Sequence, residues 1–350
     1  NQLPEESYPL FESALKLAPI WITVPASSQS IPVKDGAFDL VVIDEATQCS
    51  VTNLIPLLYR GKRLAIIGDE NQLRSIPTLF KSEETLLAKK HDVEDVVSIL
   101  GHYDQDVFTA GVESLPARSA DIVSLRDHYR SHPQIIGFSN QQIYQGRLEL
   151  RRDFLKDFSE EDGVHAIQVN GQSSRGPRNR SWINLAEAQK ITELISESQK
   201  VAGGNSSVGV VTPFSAQANL ISEMLEKNCP GSSITVGNAH VFQGDERDIM
   251  YFSPVVASGI TDGASNWVGN PPNLVNVAVT RARNSLYLVG DILSLSKRRD
   301  VLGELARYCQ VVDMLRDPNR KDRSPCELFM FSLMCAEGWS PQVQDRKSTR

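Results

Sequence analysis

Several common features are missing or scarce, and each absence narrows the reading. The 350 residues include five cysteines, an odd number, with no C-x-x-C pair among them. That pattern argues against a structural zinc site and suits a reduced, cytosolic protein. The six histidines are also scattered, and none has metal-ligand spacing to a cysteine. No segment approaches the roughly 20 apolar residues that a membrane helix needs. Positive charge is not in excess: 36 Lys and Arg against 43 Asp and Glu leave a net charge of −7. This disfavours a dedicated nucleic-acid coat but leaves room for a local basic channel. The chain opens on Asn1, and "NQLPEESYPL" carries no basic-then-apolar leader pattern. The expectation is a piece of a longer chain.

What is present is a repeated alternation of apolar runs and helical periodicity. "FDLVVIDEA" (38–46) and "KRLAIIGDENQL" (62–73) each read as a short buried strand that stops at an acidic loop. Continuous apolar runs of this kind suit a parallel sheet covered on both faces. "VTNLIPLLYRG" between them reads as the crossover helix of a βαβ unit. Residues 81–120 are polar and mixed, as an inserted helical or loop segment would be. "HPQIIGFSNQQIY" (132–144) reads as a helix. From 164 onward the alternation resumes, with strands over 164–169, 207–214, 232–237, 247–255 and 285–291. Helices are expected over 183–201, 215–227 and 272–283. Two successive α/β units imply two doubly wound parallel sheets.

Ligands of open parallel sheets sit at the carboxyl ends of strands. Asp44, Glu45 and Asp69 all fall at such ends. A strand-terminal Asp can hold Mg²⁺, and a neighbouring Glu can orient or deprotonate an attacking water in phosphoryl transfer. Two solvated acids capping the next helix would explain an isolated Asp-Glu pair equally well. The context carries more: "DEATQ" (44–48) is followed by "GDENQL" (68–73), again a strand running into Gly-Asp with a Gln three residues after the Asp.

With these blocks the sequence resembles a superfamily 1 helicase, in the branch of the RNA-surveillance and Okazaki-fragment-processing helicases (superfamily 1B, Upf-like, AAA_11–AAA_12 type). "DEATQ" is similar to motif II and "GDENQL" to motif III. "LRDHYRSHPQIIGFSNQQIYQGRL" (125–148) is similar to the branch's QYR-HP segment, and "VGVVTPFSAQ" (208–217) to its GV-TP strand and helix. "VGNAHVFQGDERDIMYFSPV" (236–255) and "NLVNVAVTRARNSLYLVGD" (273–291) resemble motifs V and VI. The blocks occur in family order over roughly residues 20 to 292. The resemblance implies an α/β fold of two RecA-like P-loop NTPase domains, the first incomplete, with ATP and Mg²⁺ in the cleft between them. It also implies single-stranded DNA or RNA across their tops, DNA being expected over RNA, and no membrane partner. Residue by residue, Asp44 would hold Mg²⁺, Glu45 would be the catalytic base and Gln72 would sense the γ-phosphate. Arg130 and Arg281 would act as arginine fingers from the second domain, and Glu246 would face the ribose, with Gln243 and Gly244 shaping its loop. Thr23, Thr212, Pro213, Asn238 and His240 would meet the strand. Asn238 stands where the family more often has Thr.

The larger departure is that no G-x-x-x-x-G-K-[ST] string occurs, since "YRGKRL" (59–64) lacks both the preceding glycine loop and the hydroxyl residue. Either the sequence begins inside the first domain or ATP binding has been lost, and the retained Asp44, Glu45, Gln72, Arg130 and Arg281 favour the first. Weak or absent hydrolysis is expected of these 350 residues alone. The domain reading is residues 1–120 for the end of the first RecA-like domain plus an insert, 121–315 for the second, and 316–350 for a linker and a new start. There "SPCELFMFSLMCAEGW" (324–339) resembles the opening helix of very-short-patch-repair-like PD-(D/E)XK nucleases, with Glu327 as its acid; an ordinary amphipathic helix is the alternative. The functional expectation is an ATP-dependent helicase or translocase, in a cytoplasmic setting and with DNA repair as a possible context. The alternative is a non-hydrolysing helicase-like nucleic-acid-binding scaffold.

Overall fold

The computed structural model describes residues 7–116, 119–152, 162–176, 181–202, 206–242, 244–317, 325–336 and 339. Gln243 lies outside the described residues. The chain divides into two compact units, Asn1–Ser124 and Leu125–Arg350.

In the first unit two short strands, β1 (Val41–Ile43) and β2 (Leu64–Ile66), pair in parallel with Val41 opposite Leu64 and Ile43 opposite Ile66. Helix Val51–Tyr59 makes the crossover between them. Ile43, Ala46, Val51, Leu54 and Val107 form the buried core, which draws in Ile66 and Phe108. Pairing ends sooner than the apolar runs do. The sheet is also covered less completely than a doubly covered strand requires, with Val42 55 % and Leu64 44 % exposed. Arg60 is fully buried and donates to the carbonyls of Ser28, Ile31, Pro32 and Pro56. A buried guanidinium needs such acceptors to offset its lost hydration, and here it ties residues 28–32 to the crossover helix. The segment expected as an insert forms three helices, Lys81–Lys90, Glu94–Leu100 and Val107–Glu113.

The second unit opens with two short strands, β3 (Asp127–His128) and β4 (Glu149–Leu150), paired in parallel around helix Pro133–Gln142. Its main sheet begins with β5 (Gly163–Gln168). A small antiparallel pair follows, β6 (Ser174–Arg175) with β7 (Trp182–Ile183). The remaining strands are β8 (Val208–Val211), β9 (Thr235–Gly237), β10 (Arg247–Phe252) and β11 (Ala282–Gly290). The five-stranded sheet has the order β5-β11-β10-β8-β9, and every pairing is parallel.

Side chains alternate across that sheet. Val208, Val210, Tyr251 and Val289 turn to one face and pack with Ala188, Ile191 and Ile195 of helix Leu185–Ala202 and with Ile221 and Leu225 of helix Ser215–Asn228. Met250, Phe252, Leu286 and Leu288, all fully buried, turn to the other. Helices Pro133–Gln142 and Asn273–Thr280 also pack against β11. Both faces being covered, the strands read as continuous apolar runs, as a doubly wound sheet requires.

Two helices follow the last strand. Helix Val301–Arg316, N-capped by Asp300 whose carboxylate accepts the Gly303 N–H, packs on β5. Helix Pro325–Ala336, in the stretch expected to start a further domain, packs on helix Pro133–Gln142. Its Ser332 hydroxyl accepts from the Gln134 amide at 2.8 Å, and Gln134 Oε1 in turn accepts the Val164 N–H at 3.2 Å. Leu328, Phe331, Ser332 and Cys335 of this helix are buried.

Candidate nucleotide and nucleic-acid sites

In the first unit the chain leaves β1 at Asp44 and turns at once. Glu45 adopts a left-handed backbone, φ 51°. That conformation is uncommon for a residue with a side chain, and its strain is typically held at functional sites. The turn lets Ala46 N–H donate to the Ile67 carbonyl at 2.9 Å, just past β2, so the two acidic loops are laid side by side. Asp44 is exposed, and its Oδ1 accepts the Glu45 N–H at 2.9 Å. Gln48 Nε2 donates to Glu45 Oε2 at 3.0 Å. Gln48 thereby orients the Glu45 carboxylate.

The second loop has a parallel construction. Asp69 accepts from the Asn71 N–H at 3.0 Å and from Gln72 Nε2 at 3.3 Å, and Gln72 N–H donates to the Asp69 carbonyl at 3.0 Å. Ser75 N–H then donates to the Thr47 carbonyl at 3.0 Å, which ties the loops together a second time. Asp44, Glu45 and Gln72 are thus brought onto adjoining loops of one unit.

A Mg²⁺ ion keeps most of its waters and needs one or two carboxylates besides phosphate oxygens. Among the described residues no three His, Cys, Asp or Glu side chains gather as an all-protein cage. Asp44, a solvent-facing carboxylate, fits the single-carboxylate case.

The second unit places its charged cluster at the amino ends of strands. A cavity of about 610 Å³ is lined by Asp127, His128, Tyr129, Arg130, Arg152, Glu246, Asp248, Arg283 and Asn284. Glu246 precedes β10 and pairs with both Arg130 and Arg283. Arg283 also lies 3.8 Å from Asp248. The backbone explains the convergence: His132 N–H donates to the Arg283 carbonyl at 2.7 Å, and Arg247 N–H to the Arg281 carbonyl at 3.0 Å. His128 contributes no charge, because burial and then the neighbouring Arg130 push its pKa down to about 4. Its Nε2 accepts the Ser131 N–H at 2.9 Å. Three guanidinium groups and three carboxylates therefore share one recess, with Glu246 bridging two of the former. An incoming phosphate would compete with Glu246 for Arg130 and Arg283.

Arg281 sits elsewhere. It closes helix Asn273–Thr280 and is 3 % exposed, while Arg283 lines the cavity and is about half exposed. Arg283, Arg152 and Asp248 were not singled out from the sequence. The second arginine of "TRAR" was visible there, but two adjacent candidates cannot be ranked without the strand start at Ala282.

Gly244 has φ 76°, the left-handed region where glycine is favoured, and nothing lies within 4 Å of where a Cβ would be.

The opposite, carboxyl end of the same sheet holds most of the residues expected to meet a strand. The six residues of β10 separate the two ends by roughly 17 Å at 3.3 Å per step. Asn238 follows β9 and accepts the Val241 N–H at 3.3 Å, and His240 is exposed. Thr212 and Pro213 follow β8 but are buried, Thr212 completely. The Thr212 hydroxyl is enclosed in this structure, while the backbone after β8 follows directly on the strand end. Thr23, in the first unit, is exposed and donates to the Val24 carbonyl at 3.2 Å.

Behind Thr212 lies a buried polar network. Glu187, fully buried, accepts from Ser253 Oγ at 2.6 Å, Val255 N–H at 3.0 Å and Asn184 Nδ2 at 3.0 Å. Gln217 Nε2 reaches Ser253 Oγ and the Asn184 carbonyl, both at 3.0 Å. Burial outweighs these donors and pushes the Glu187 pKa up to about 8. Val255, a β-branched residue at φ 61°, is held by this network from its N–H side and by Ser173 Oγ at its carbonyl.

A family described as "AAA domain", AAA_12, matches residues 103–293, and a second with the same description, AAA_11, matches residues 13–82. An uncharacterized ATP-dependent helicase of Mycoplasma pneumoniae is 29 % identical over 85 % of this chain and 28 % of its own length. Helicase SEN1 of Saccharomyces cerevisiae is 26 % identical over 75 % of this chain and 11 % of its own length. An uncharacterized ATP-dependent helicase of Methanocaldococcus jannaschii is 24 % identical over 89 % of this chain and 45 % of its own length. The chain therefore spans less than half of each of these relatives. No described helix is long and apolar enough to cross a membrane. With a family match over more than half its length and a parallel RecA-like sheet, the chain belongs to the AAA_11/AAA_12 family of superfamily 1 helicases.

Proposed function

We propose that the protein is the motor part of an ATP-dependent helicase or translocase acting on single-stranded nucleic acid. The observation that carries this reading is the sharing of Glu246 by Arg130 and Arg283 inside one cavity. A carboxylate held by two guanidinium groups beside a neutral histidine suits a site that exchanges one anion for another. In this reading Asp44 would hold Mg²⁺, which would supply charge neutralisation for the phosphate. Glu45, steered by Gln48, takes the proton of the attacking water. Gln72 responds to the terminal phosphate. Arg130 stabilises charge on the transferred group, a role worth roughly 10³–10⁵ in rate. Glu246 holds the ribose, and Arg281 acts from the end of its helix. Gln243 and Gly244 shape the Glu246 loop. Asn238, His240, Thr23 and the backbone after β8, around Thr212 and Pro213, contact the strand by hydroxyl, amide and main-chain groups.

The buried face of helix Pro325–Ala336 supports its being part of the second unit. The other reading of the stretch is the opening helix of a nuclease-like domain, with Glu327 as its acid.

The test is hydrolysis of ATP by a full-length chain that carries the phosphate-binding loop, with and without single-stranded DNA or RNA of one sequence. Stimulation by the strand is expected, and Glu45→Gln should abolish it while leaving strand binding intact. Normal turnover in that variant would remove Glu45 from the role of base. Strand binding without any hydrolysis in the unaltered protein would favour the scaffold reading. The relative stimulation by DNA and RNA assigns the substrate.

A further inference from the structure

The segment around His102 belongs to no motif, and residues 83–102 fall between the stretches matched by the two family models. Yet the His102 ring stands between the exits of the two acidic loops. Its Nδ1 lies 2.7 Å from Ser50 Oγ, where the "DEATQCS" loop enters helix Val51–Tyr59. Its Nε2 lies 3.1 Å from the Thr78 backbone nitrogen and 3.0 Å from Thr78 Oγ1, six residues past Gln72.

We infer that His102 is a positioning residue that fixes the exits of the two acidic loops to each other, so that Glu45 and Gln72 keep one mutual geometry. The inference rests on the reading of those loops as the hydrolytic half-site.

The chemistry of the contacts sets the form of the ring. A backbone N–H can only donate, so Nε2 must present its lone pair to Thr78. The proton of the neutral imidazole is then on Nδ1, where it donates to Ser50 Oγ. Ser50 is 4 % exposed, and its hydroxyl shares a hydrogen bond of 2.7 Å with Thr52 Oγ1, which itself lies 3.3 Å from Nδ1. The two nitrogens of a planar ring sit at fixed separation and direction, so the ring transmits position rigidly from one loop exit to the other. The ring is in turn anchored from behind. The Glu84 carboxylate accepts the backbone N–H of His102 and, at 3.4 Å, that of Tyr103.

Neighbouring contacts run the same way. Val107 N–H donates to the Cys49 carbonyl at 2.9 Å, Asp106 bridges Ser50 and lies 3.7 Å from Arg74, and the Phe108 ring fills the space beside Gly68. Residues 101–108 thus back both loops, and His102 is the member whose two ring nitrogens each engage a different exit.

The experiment is a double-mutant cycle read by amide hydrogen exchange and by turnover in the same protein. Ser50→Ala removes the acceptor of Nδ1 at a site that meets Thr78 through His102. It should speed exchange of the Thr78 amide about tenfold, the equilibrium weight of one hydrogen bond. In a His102→Phe background, which keeps the ring's bulk, Ser50→Ala should change that rate no further. Unchanged exchange at β1 amides certifies folding. His102→Phe should lower kcat for strand-stimulated ATP hydrolysis about tenfold and leave KM for ATP within about twofold, again the weight of one hydrogen bond. His102→Gln, which can place an oxygen near Thr78, should restore the Thr78 amide but not kcat. Equal exchange in Ser50→Ala and the unaltered protein, multiplying effects in the cycle, or full kcat in His102→Phe would each overturn the inference. Absence of hydrolysis in the unaltered full-length chain with its phosphate-binding loop would instead overturn the helicase reading, and the exchange cycle would still decide whether the exits are coupled.

Discussion

Replacing Glu187 with glutamine should flatten the pH dependence of stability in the second unit. Glu187 is fully buried, and its pKa rises from the usual 4.5 to about 8 because burial penalises the charged form more than Ser253, Val255 and Asn184 favour it. A folded pKa above the unfolded one means that the native state holds a proton the unfolded chain has released. The associated stability is present in full below about pH 4.5 and is lost as pH climbs to about 8. At about 1.4 kcal/mol per pH unit, the window of roughly 3.5 units amounts to a loss of order 5 kcal/mol. In Glu187→Gln the amide oxygen can still accept from Ser253 and Val255, and Asn184 can turn its amide to meet the new N–H₂. The variant should therefore fold. The assay is amide exchange in β8 and β10, corrected for intrinsic rates, at several pH values between 5 and 8. The unaltered protein should lose about 1.4 kcal/mol per unit more steeply than the variant. Equal slopes would refute the assignment of a protonated carboxylic acid to this site.

Three further outcomes are expected. Gly259→Ala should destabilise the second unit by about 2 kcal/mol or more in denaturant unfolding, because φ is +95° and a Cβ would lie 2.4 Å from the Ser173 carbonyl oxygen. Gly68→Ala should destabilise the first unit by roughly 1–3 kcal/mol, since the Cβ would meet the Phe108 ring at 2.7 Å, and slower exchange of the Ser75 amide would contradict this. Arg130→Gln should reduce strand-stimulated ATP turnover by about 10³ with little change in KM, whereas equal losses in kcat and affinity for the strand would argue for a structural role.

Much of the second unit could be read from its sequence because every strand of its sheet is covered on two faces. "SVGVV" and "RDIMYF" are apolar without alternation, and Val208–Val211 and Arg247–Phe252 are the strands found. The first unit was less legible. Its strands shrink to three residues each, and Phe38 and Gly61 retain only an isolated bridge. Helix Val301–Arg316 went unremarked, its signal being an Asp300 cap rather than a motif. The proximity of Arg130 to Glu246 follows from motif order, but the choice of Arg283 over Arg281 as the cavity-lining partner does not. It depends on where helix Asn273–Thr280 stops and β11 begins. The role of Gln48 was equally hidden, because only the left-handed turn at Glu45 brings their side chains together.

The strand order of the second unit also sets a timetable for its assembly. β5 pairs with β11 alone in the main sheet, and 113 residues (169–281) lie between them. Until β11 leaves the ribosome, β8, β9 and β10 can pair among themselves, but β5 has no strand neighbour in the main sheet. Sheet closure is therefore a late, long-range event, the kind that slows folding and leaves strand edges open to other chains. Any ribosome pause or premature stop between 169 and 281 would release a half-built sheet. The residues of motif VI thus carry a second burden, as the piece whose arrival turns two separate fragments into one fold.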